Sequence, residues 1–521
     1  TNPDVGGGFG MKAMTYPEYV VIAAAARVLG RPLRWMSDRA EAMLSDNAAR
    51  DLVARAEIGF DADLRITGYG VNLVSNLGAY NSQYGQLIQT DLFATVLTGV
   101  YDIPCASLAA VGVYTNTTPT DAYRGAGQPE ANLTIERVLD AAARQLGVDP
   151  LDLRWRNVIT RFPHPLISGD VVDCGDFQGL LRMTARQADA SGFAARKASS
   201  AAKGLLRGLG IAPYLEVILG KSAETARLVL DDDGGATLYV GTQSNGQGHE
   251  TVYARMLAEQ SGIDEDLIRI VQGDSDRIAV GGGTGGSRSL TAQGTASRAA
   301  LTTLAAGLAA FLGGEFGLDG VTFDQQVFAA PGSNLRLTMA EAARLARAGG
   351  HLDLLDRSAD IVVDPASYPN GCHAAEVEID PETGAMRLDR YVVVDDFGVQ
   401  IAPQIVAGQV HGGIAQGYGQ AVTEVAIHDA QGQLLTGSFM DYAMPRATDL
   451  PFFRSIDAGV ATATNPMGVK GCGEAGTVGA LGAISIAVMD VLAASGVNRV
   501  DMPFTPNRIW HWLQEAQAVN T

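Results

Sequence analysis

The placement of glycine constrains this chain more than any other feature. Glycine accounts for 62 of 521 residues, roughly 12% where an average chain has about 7%. Helix interiors disfavour that much glycine, so the chain must contain many tight turns, or places where backbone approaches a ligand closely. Of these glycines, 17 cluster in five short segments that also carry polar or charged residues. They are Gly6-Gly7-Gly8-Phe9-Gly10, Tyr123-Arg124-Gly125-Ala126-Gly127-Gln128, Asn245-Gly246-Gln247-Gly248-His249-Glu250, Gly281-Gly282-Gly283-Thr284-Gly285-Gly286-Ser287-Arg288-Ser289 and Gly468-Val469-Lys470-Gly471-Cys472-Gly473-Glu474-Ala475-Gly476. Glycine-rich turns leave backbone N–H groups free to converge on an anion. One such turn is ordinary. Five, with Arg, Gln and Ser among them, suit a large, polar, polyanionic ligand.

The bulk chemistry excludes several classes of partner. A formal net charge of −19 is the wrong sign for displacing phosphate counterions, so nucleic acid is not expected. With 47% hydrophobic and 18% charged residues the chain is a packed globular protein, and its length implies about two to four domains. Cys105, Cys174, Cys372 and Cys472 lie far apart with no C-x-x-C. From them the chain builds neither a zinc site nor a cysteine-held iron–sulfur cluster. A disulfide framework is not expected in so large a core, which favours a reducing, cytoplasmic compartment. Apolar runs break off before the ~18 residues of a membrane span, apart from helical stretches diluted by Ala and Gly. No basic-then-apolar leader opens the chain. Thr1-Asn2-Pro3-Asp4 leads straight into the first glycine segment, which reads as a start in mid-domain.

Apolar periodicity predicts helices over 17–29, 131–145, 296–312, 338–348 and 479–495, and a short one after Asp149-Pro150. Alternation predicts strands over 52–80, 226–241 and 371–395, split by turns at 60–63, 231–235 and 380–384. Residues 186–204 are small and polar and read as a linker between a first half, 1–185, and a second, 205–521. Strands and helices mix without regular alternation, so the fold class is α+β.

Two local patterns invite other readings. Gly471-Cys472-Gly473-Glu474-Ala475-Gly476 satisfies G-x-G-x-x-G ahead of a helix, the fingerprint of an NAD-dependent dehydrogenase. Against it, Asn465-Pro466-Met467-Gly468 does not read as a buried strand, and Glu474 puts a carboxylate where pyrophosphate would lie. His249-Glu250 resembles the start of a zinc-protease motif, but no second His follows at the required spacing.

The five segments in this order, with Gly408-Gln409-Val410-His411-Gly412-Gly413-Ile414-Ala415-Gln416-Gly417 between the last two, resemble the molybdenum-binding large subunit of the xanthine oxidase family. Within it, the chain looks most like the carbon monoxide dehydrogenase-like and aldehyde oxidoreductase-like bacterial subunits. The resemblance implies a two-half molybdopterin-binding fold with the cofactor where the halves meet. It implies that Gly8, Phe9 and Gly10 lie beside the metal, and that Arg124 sits near metal and substrate. Gln247, Gly248, Gly286, Ser287, Ser289 and Gln409 would hold the pterin and its phosphates, and Glu474 would be the catalytic base. The metal's sulfur ligands would come from the pterin dithiolene, so no Cys/His cluster is required. The implied reaction is hydroxylation, by water, of an aldehyde or an N-heteroaromatic compound, and the implied cofactor form is the cytosine dinucleotide.

Electrons would leave through partners, an iron–sulfur subunit with [2Fe-2S] and an FAD subunit. Three departures stand out. Gly125 occupies the place where true carbon monoxide dehydrogenases carry a copper-ligating cysteine. Ala126 and Ala13 stand where purine oxidisers carry phenylalanine and glutamate. The family's N-terminal portion, with a glutamine facing the metal, has no counterpart here and is expected on a separate polypeptide. A non-catalytic scaffold remains an alternative, against which Glu474 argues.

Overall fold

The computed structural model describes residues 1–520 apart from Pro3, Lys221 and Asn498. Its central element is a four-stranded sheet in the order Phe453–Asp457, Met386–Asp396, Asn370–Ile379, Leu206–Leu215. Every residue of Asn370–Ile379 is buried, so both faces of this sheet are covered. Successive side chains take opposite faces. Ala212 and Tyr214 join the core on one side, while Ile211 and Leu215 join the core on the other.

The first face carries the helix Ala475–Ala494, which is buried along nearly its whole length. A helix apolar on all sides belongs in a core or a membrane. This one and Ser289–Phe316 are long and apolar enough to cross a membrane, but 83% of the Ala475–Ala494 apolar window lies inside the protein. Glycine lets the neighbouring backbones close on it. A Cβ on Gly210 of the sheet would come 2.5 Å from the Ala487 nitrogen, and one on Gly413 of the helix Pro403–Tyr418 would come 2.8 Å from Gly476 Cα. These contacts explain why the helix begins at Ala475 and not at the expected 479. Gly476 and Gly479 read as breakers, but packing against Gly413 and His373 selects them, and tertiary packing overrides the roughly 1 kcal/mol helix penalty of glycine.

The second face carries the first half of the chain. Val71 and Leu73 of the strand Ile66–Gly78, Ile135 and Leu139 of the helix Gln128–Leu146, and Phe177 share one core with Ile211, Cys372 and Val394 of the sheet. Residues 186–204 carry more structure than a polar linker. They contain the helix Phe193–Ala201, whose Ser200 donates to Glu378 (2.7 Å) and whose Arg196 bonds Glu376 (3.0 Å). Small side chains here allow close packing on the sheet. Within 205–521, a separate core lies between the sheet Asp356–Val362, Ala223–Leu230, Ala236–Val240, Ile268–Val271 and the helices His249–Ser261, Gly294–Phe316 and Met339–Ala348. Strand and helix layers alternate irregularly, and the fold is α+β.

Candidate active site

Four of the five glycine segments run directly into helix starts. The helices Gln128–Leu146, His249–Ser261 and Ala475–Ala494, and the π-turn Ser289–Gln293 that continues into Gly294–Phe316, each begin at the end of one segment. The turns depend on left-handed backbone, with φ +103° at Gly125, +90° at Gly127, +100° at Gly246 and +61° at Gly286. Unbonded N–H groups and the helix dipole make such ends attractive to anions.

Arg124 ties these segments together. Its side chain is buried, and its guanidinium donates to Gly473 O (2.6 Å), Gln416 Oε1 (2.9 Å), Gln409 O (2.9 Å) and Gln409 Oε1 (3.1 Å). Its backbone N–H donates to Phe9 O (2.8 Å), and its guanidinium carbon lies 5.3 Å from the Phe9 ring centre. One arginine therefore joins the first, second and last segments to the helix Pro403–Tyr418. Burial pulls its pKa below the ordinary value, with the negative charge of Glu474 opposing that shift.

Glu474 immediately precedes the helix Ala475–Ala494, yet its side chain makes no capping bond to that helix. It crosses the site instead. Its Oε1 accepts from the Gly125 backbone N–H (2.8 Å), and its Oε2 lies 3.0 Å from Ser287 Oγ. Ser287, at φ +58°, also lies 2.7 Å from Oε1 of Glu216. Glu216 is fully buried and, among the described residues, its Oε2 meets no donor. Burial first, and then the nearby Glu474 charge, push its pKa far above the carboxylate range. The carboxyl at 474 has a structure around it that a surface acid does not need.

The remaining expected residues sit one step away. Gly8 approaches Asn245, since a Cβ there would come 3.3 Å from Asn245 Nδ2. Gln247 Oε1 accepts from the Asn245 N–H (2.5 Å), and its Nε2 lies 3.0 Å from His249 Nε2. Burial lowers His249 to about 4, against a smaller opposing contribution from the Gln272 side chain, so the ring is neutral, and accepting at Nε2 leaves its hydrogen on a buried Nδ1 that makes no hydrogen bond of normal geometry among the described residues. Gly248 packs on Ile405 of the helix Pro403–Tyr418, and Gly286 O accepts from Leu219 N–H (2.9 Å). Ser289 opens the π-turn. Among the described residues, no hydrogen bond links Gln247, Gly248 or Ser289 directly to Arg124 or Glu474.

The sequence motifs contain Gln128 and Gln416 without assigning either a role, and Arg50 and Glu216 lie outside them. Arg50 donates to Tyr123 O (3.1 Å) and to Arg124 O, and pairs with Glu130 (3.0 Å), so it fixes the backbone that carries Arg124. Gln128 accepts from Val217 N–H (2.7 Å), joining the second segment to the end of the central sheet. Gln416 and Glu216 bond Arg124 and Ser287 respectively. Of the two outside the motifs, Glu216 left a signal, as a lone acid closing the run Leu206–Leu215.

Known proteins agree with this geometry. Residues 1–158 and 184–451 each match a family model described as a molybdopterin cofactor-binding domain. The large chain of carbon monoxide dehydrogenase from Hydrogenophaga pseudoflava is 33% identical, over 99% of this chain and 67% of its own length. The chain belongs to the molybdenum-binding large subunits of the xanthine oxidase family. The large subunit of nicotine 6-hydroxylase from Paenarthrobacter nicotinovorans is 32% identical, over 98% of this chain and 65% of its own. In solved structures, quinoline 2-oxidoreductase from Pseudomonas putida 86 superposes with TM-score 0.92 at 32% identity, covering 98% of this chain and 68% of that one. A carbon monoxide dehydrogenase from Oligotropha carboxidovorans gives 0.92 at 30%, over 99% and 68%. This molybdenum oxidoreductase subunit thus spans about two thirds of the length of the relatives it matches. The dehydrogenase fingerprint at 471–476 has a different use here, because no strand leads into it and Gly471 packs against Ser287, with a Cβ only 2.5 Å from Ser287 O.

Proposed function

We propose that this chain binds a molybdenum–molybdopterin cofactor between its two halves, 1–185 and 205–521, and oxidises an aldehyde or an N-heteroaromatic compound with water as the oxygen source. The observation that carries this reading is the convergence of three distant segments through direct hydrogen bonds, Arg124 to Gly473 O, Gly125 N–H to Glu474 and Ser287 to Glu474. The cofactor suits the residues present. Helix starts behind the glycine turns offer N–H groups to phosphate and pterin oxygens, and the orphaned His249 N–H supplies a buried donor beside Gln247. Gly8, Phe9 and Gly10 would line the metal end, with Gln247, Gly248, Gly286, Ser287, Ser289 and Gln409 on the pterin. When bound, the cofactor supplies the two-electron oxidising centre.

The chain's own residues do the rest. Glu474, held by Gly125 N–H, accepts the proton released as water is activated, and Arg124 holds the approach with a fixed positive charge. The relatives' names, nicotine 6-hydroxylase and quinoline 2-oxidoreductase, support the N-heteroaromatic arm. Gly125 argues against a copper-assisted site, since a side chain there would strike the Pro129 ring. The cytosine dinucleotide form, a cytoplasmic setting, iron–sulfur and FAD partner subunits, and a polypeptide carrying the family's N-terminal portion complete the proposal.

Glu474→Gln tests it. In the assembled enzyme, molybdenum and pterin content should be unchanged while substrate-dependent dye reduction falls by about 10²- to 10⁴-fold, the usual contribution of a general base. Near-normal turnover would refute the role.

A further inference from the structure

A serine hydroxyl carries one hydrogen, yet Ser287 Oγ lies within hydrogen-bond distance of two carboxyl groups, Glu216 Oε1 at 2.7 Å and Glu474 Oε2 at 3.0 Å. It can donate to only one of them. If both acids were ionised, the other contact would set oxygen against oxygen with no hydrogen between them. A proton on one carboxyl turns both contacts into full hydrogen bonds. The surroundings decide which. Glu474 already accepts the Gly125 N–H at its Oε1, lies near Arg124 and stands directly before a helix of 20 residues. Glu216 has no solvent exposure, and among the described residues its side chain has no donor at Oε2 and no hydrogen-bond partner but Ser287.

We propose that Glu216 is held protonated and donates to Ser287, which in turn donates to Glu474, so that a one-way chain of hydrogen bonds orients the base and leaves its charge available. The functional half of this inference rests on Glu474 being the base, but the protonation of Glu216 does not. The groups facing Glu216 are Glu474 and Cys472 from the last glycine segment, Arg124 from the second, Asp395 from the central sheet, and Tyr214 on its own strand. Arg124 is the only cation among them, and its side chain is already engaged by Gly473, Gln409 and Gln416. Nothing there neutralises a second anion. Glu216 is a positioning residue that acts through Ser287.

Infrared difference spectroscopy on the cofactor-free protein tests the protonation directly. Wild type minus Glu216→Gln at neutral pH should contain the C=O stretch of a protonated carboxyl, shifted in D₂O and displaced in Ser287→Ala. A carboxylate band in its place would overturn the proposal. In the assembled enzyme, Glu216→Leu should lower kcat by about tenfold at little-changed KM, as expected for a lost transition-state contact. Glu216→Gln, whose amide can still donate to Ser287, should recover most of that loss. The acid limb of kcat against pH should stay in place in Glu216→Gln, because no charge is removed. A downward move of about a unit, the effect of deleting a like charge beside Glu474, would show that Glu216 is ionised. If Glu474→Gln proved active while the carboxyl band was present, the base assignment would fail and the protonated Glu216 would stand.

Discussion

Replacing Arg124 by lysine asks whether one guanidinium joins the site. The arginine makes four side-chain hydrogen bonds to three residues on two elements, Gly473, Gln409 and Gln416. A lysine nitrogen is a single point and cannot span them. Losing two such bonds to a charged donor, each worth about 1.5–3 kcal/mol, and regaining part from water, gives a local cost of about 3 kcal/mol. At about 1.4 kcal/mol per factor of ten, amides whose exchange requires this region to open should exchange roughly a hundredfold faster. The reporters are the Arg124 amide, bonded to Phe9 O, and the Gly125 amide, bonded to Glu474. Hydrogen-exchange mass spectrometry on a peptide covering 121–128 reads both, and a peptide covering 468–477 follows the segment that Arg124 holds at Gly473 O. The buried strand Asn370–Ile379 serves as the unaffected control. Exchange within about twofold of wild type at both peptides would mean that something else holds the segments, and the reasoning built on Arg124 would fail.

Three further outcomes are expected. Gly125→Cys should lower the denaturation midpoint and should not bind copper(I), because φ is +103° and a Cβ would meet the Pro129 ring within 2.6 Å of Cδ; a stable, copper-binding variant would contradict the packing seen here. Lys470→Met removes the partner of fully buried Asp396, 2.6 Å away, and should cost about 3–5 kcal/mol by leaving a charge uncompensated; urea unfolding that is unchanged would refute this. Burial alone would raise the pKa of Glu378, but hydrogen bonds from Ser200, Arg387 and Arg207 hold it at about 2, below its ordinary 4.5. Its stabilisation is therefore complete above about pH 4.5 and lost as pH falls towards 2. Glu378→Gln should flatten the fall in stability over that window, and an unaltered slope would count against the cluster.

The legible parts of this protein were those with local causes. Gly30 and Gly147 end their helices in left-handed geometry, Asp149 caps the helix Pro150–Asn157, the turns at 231–235 and 380–384 split their hairpins as expected, and the turn expected at 60–63 lies at 61–65 because Phe60 still pairs in its strand. What escaped depends on partners distant in sequence. The start of Ala475–Ala494 was misplaced because its glycines look like breakers until Gly413 and His373 are beside them. Leu206–Leu215, buried on both sides, shows no polar alternation to mark it as a strand. In the site, Arg124 and Glu474 announced themselves by sitting among glycines. Arg50 did not, because its role lies in what it touches, Tyr123 O and Arg124 O, and Gln416 stood in the 408–417 motif with nothing local to mark it as the partner of the Arg124 guanidinium.

Strain points to the same place. Phe9, Ala126 and Ser287 all have positive φ, at +52°, +34° and +58°, although each stands beside glycines that could have taken that geometry more easily. A non-glycine residue in this region costs on the order of 1–3 kcal/mol and persists where the surroundings over-determine it. Two of the three have a visible reason. The Phe9 ring stacks on the Arg124 guanidinium, and the Ser287 hydroxyl bridges Glu216 and Glu474. Glycine at either position would relax the backbone and remove the side chain that makes the contact. What holds them is the core behind the site, where Ala475–Ala494 packs rigidly against the central sheet and against Gln128–Leu146. That helix begins one residue after Glu474 and is buried along nearly its whole length, so the acid inherits the fixed position of a core element, and the glycine turns need only close over it.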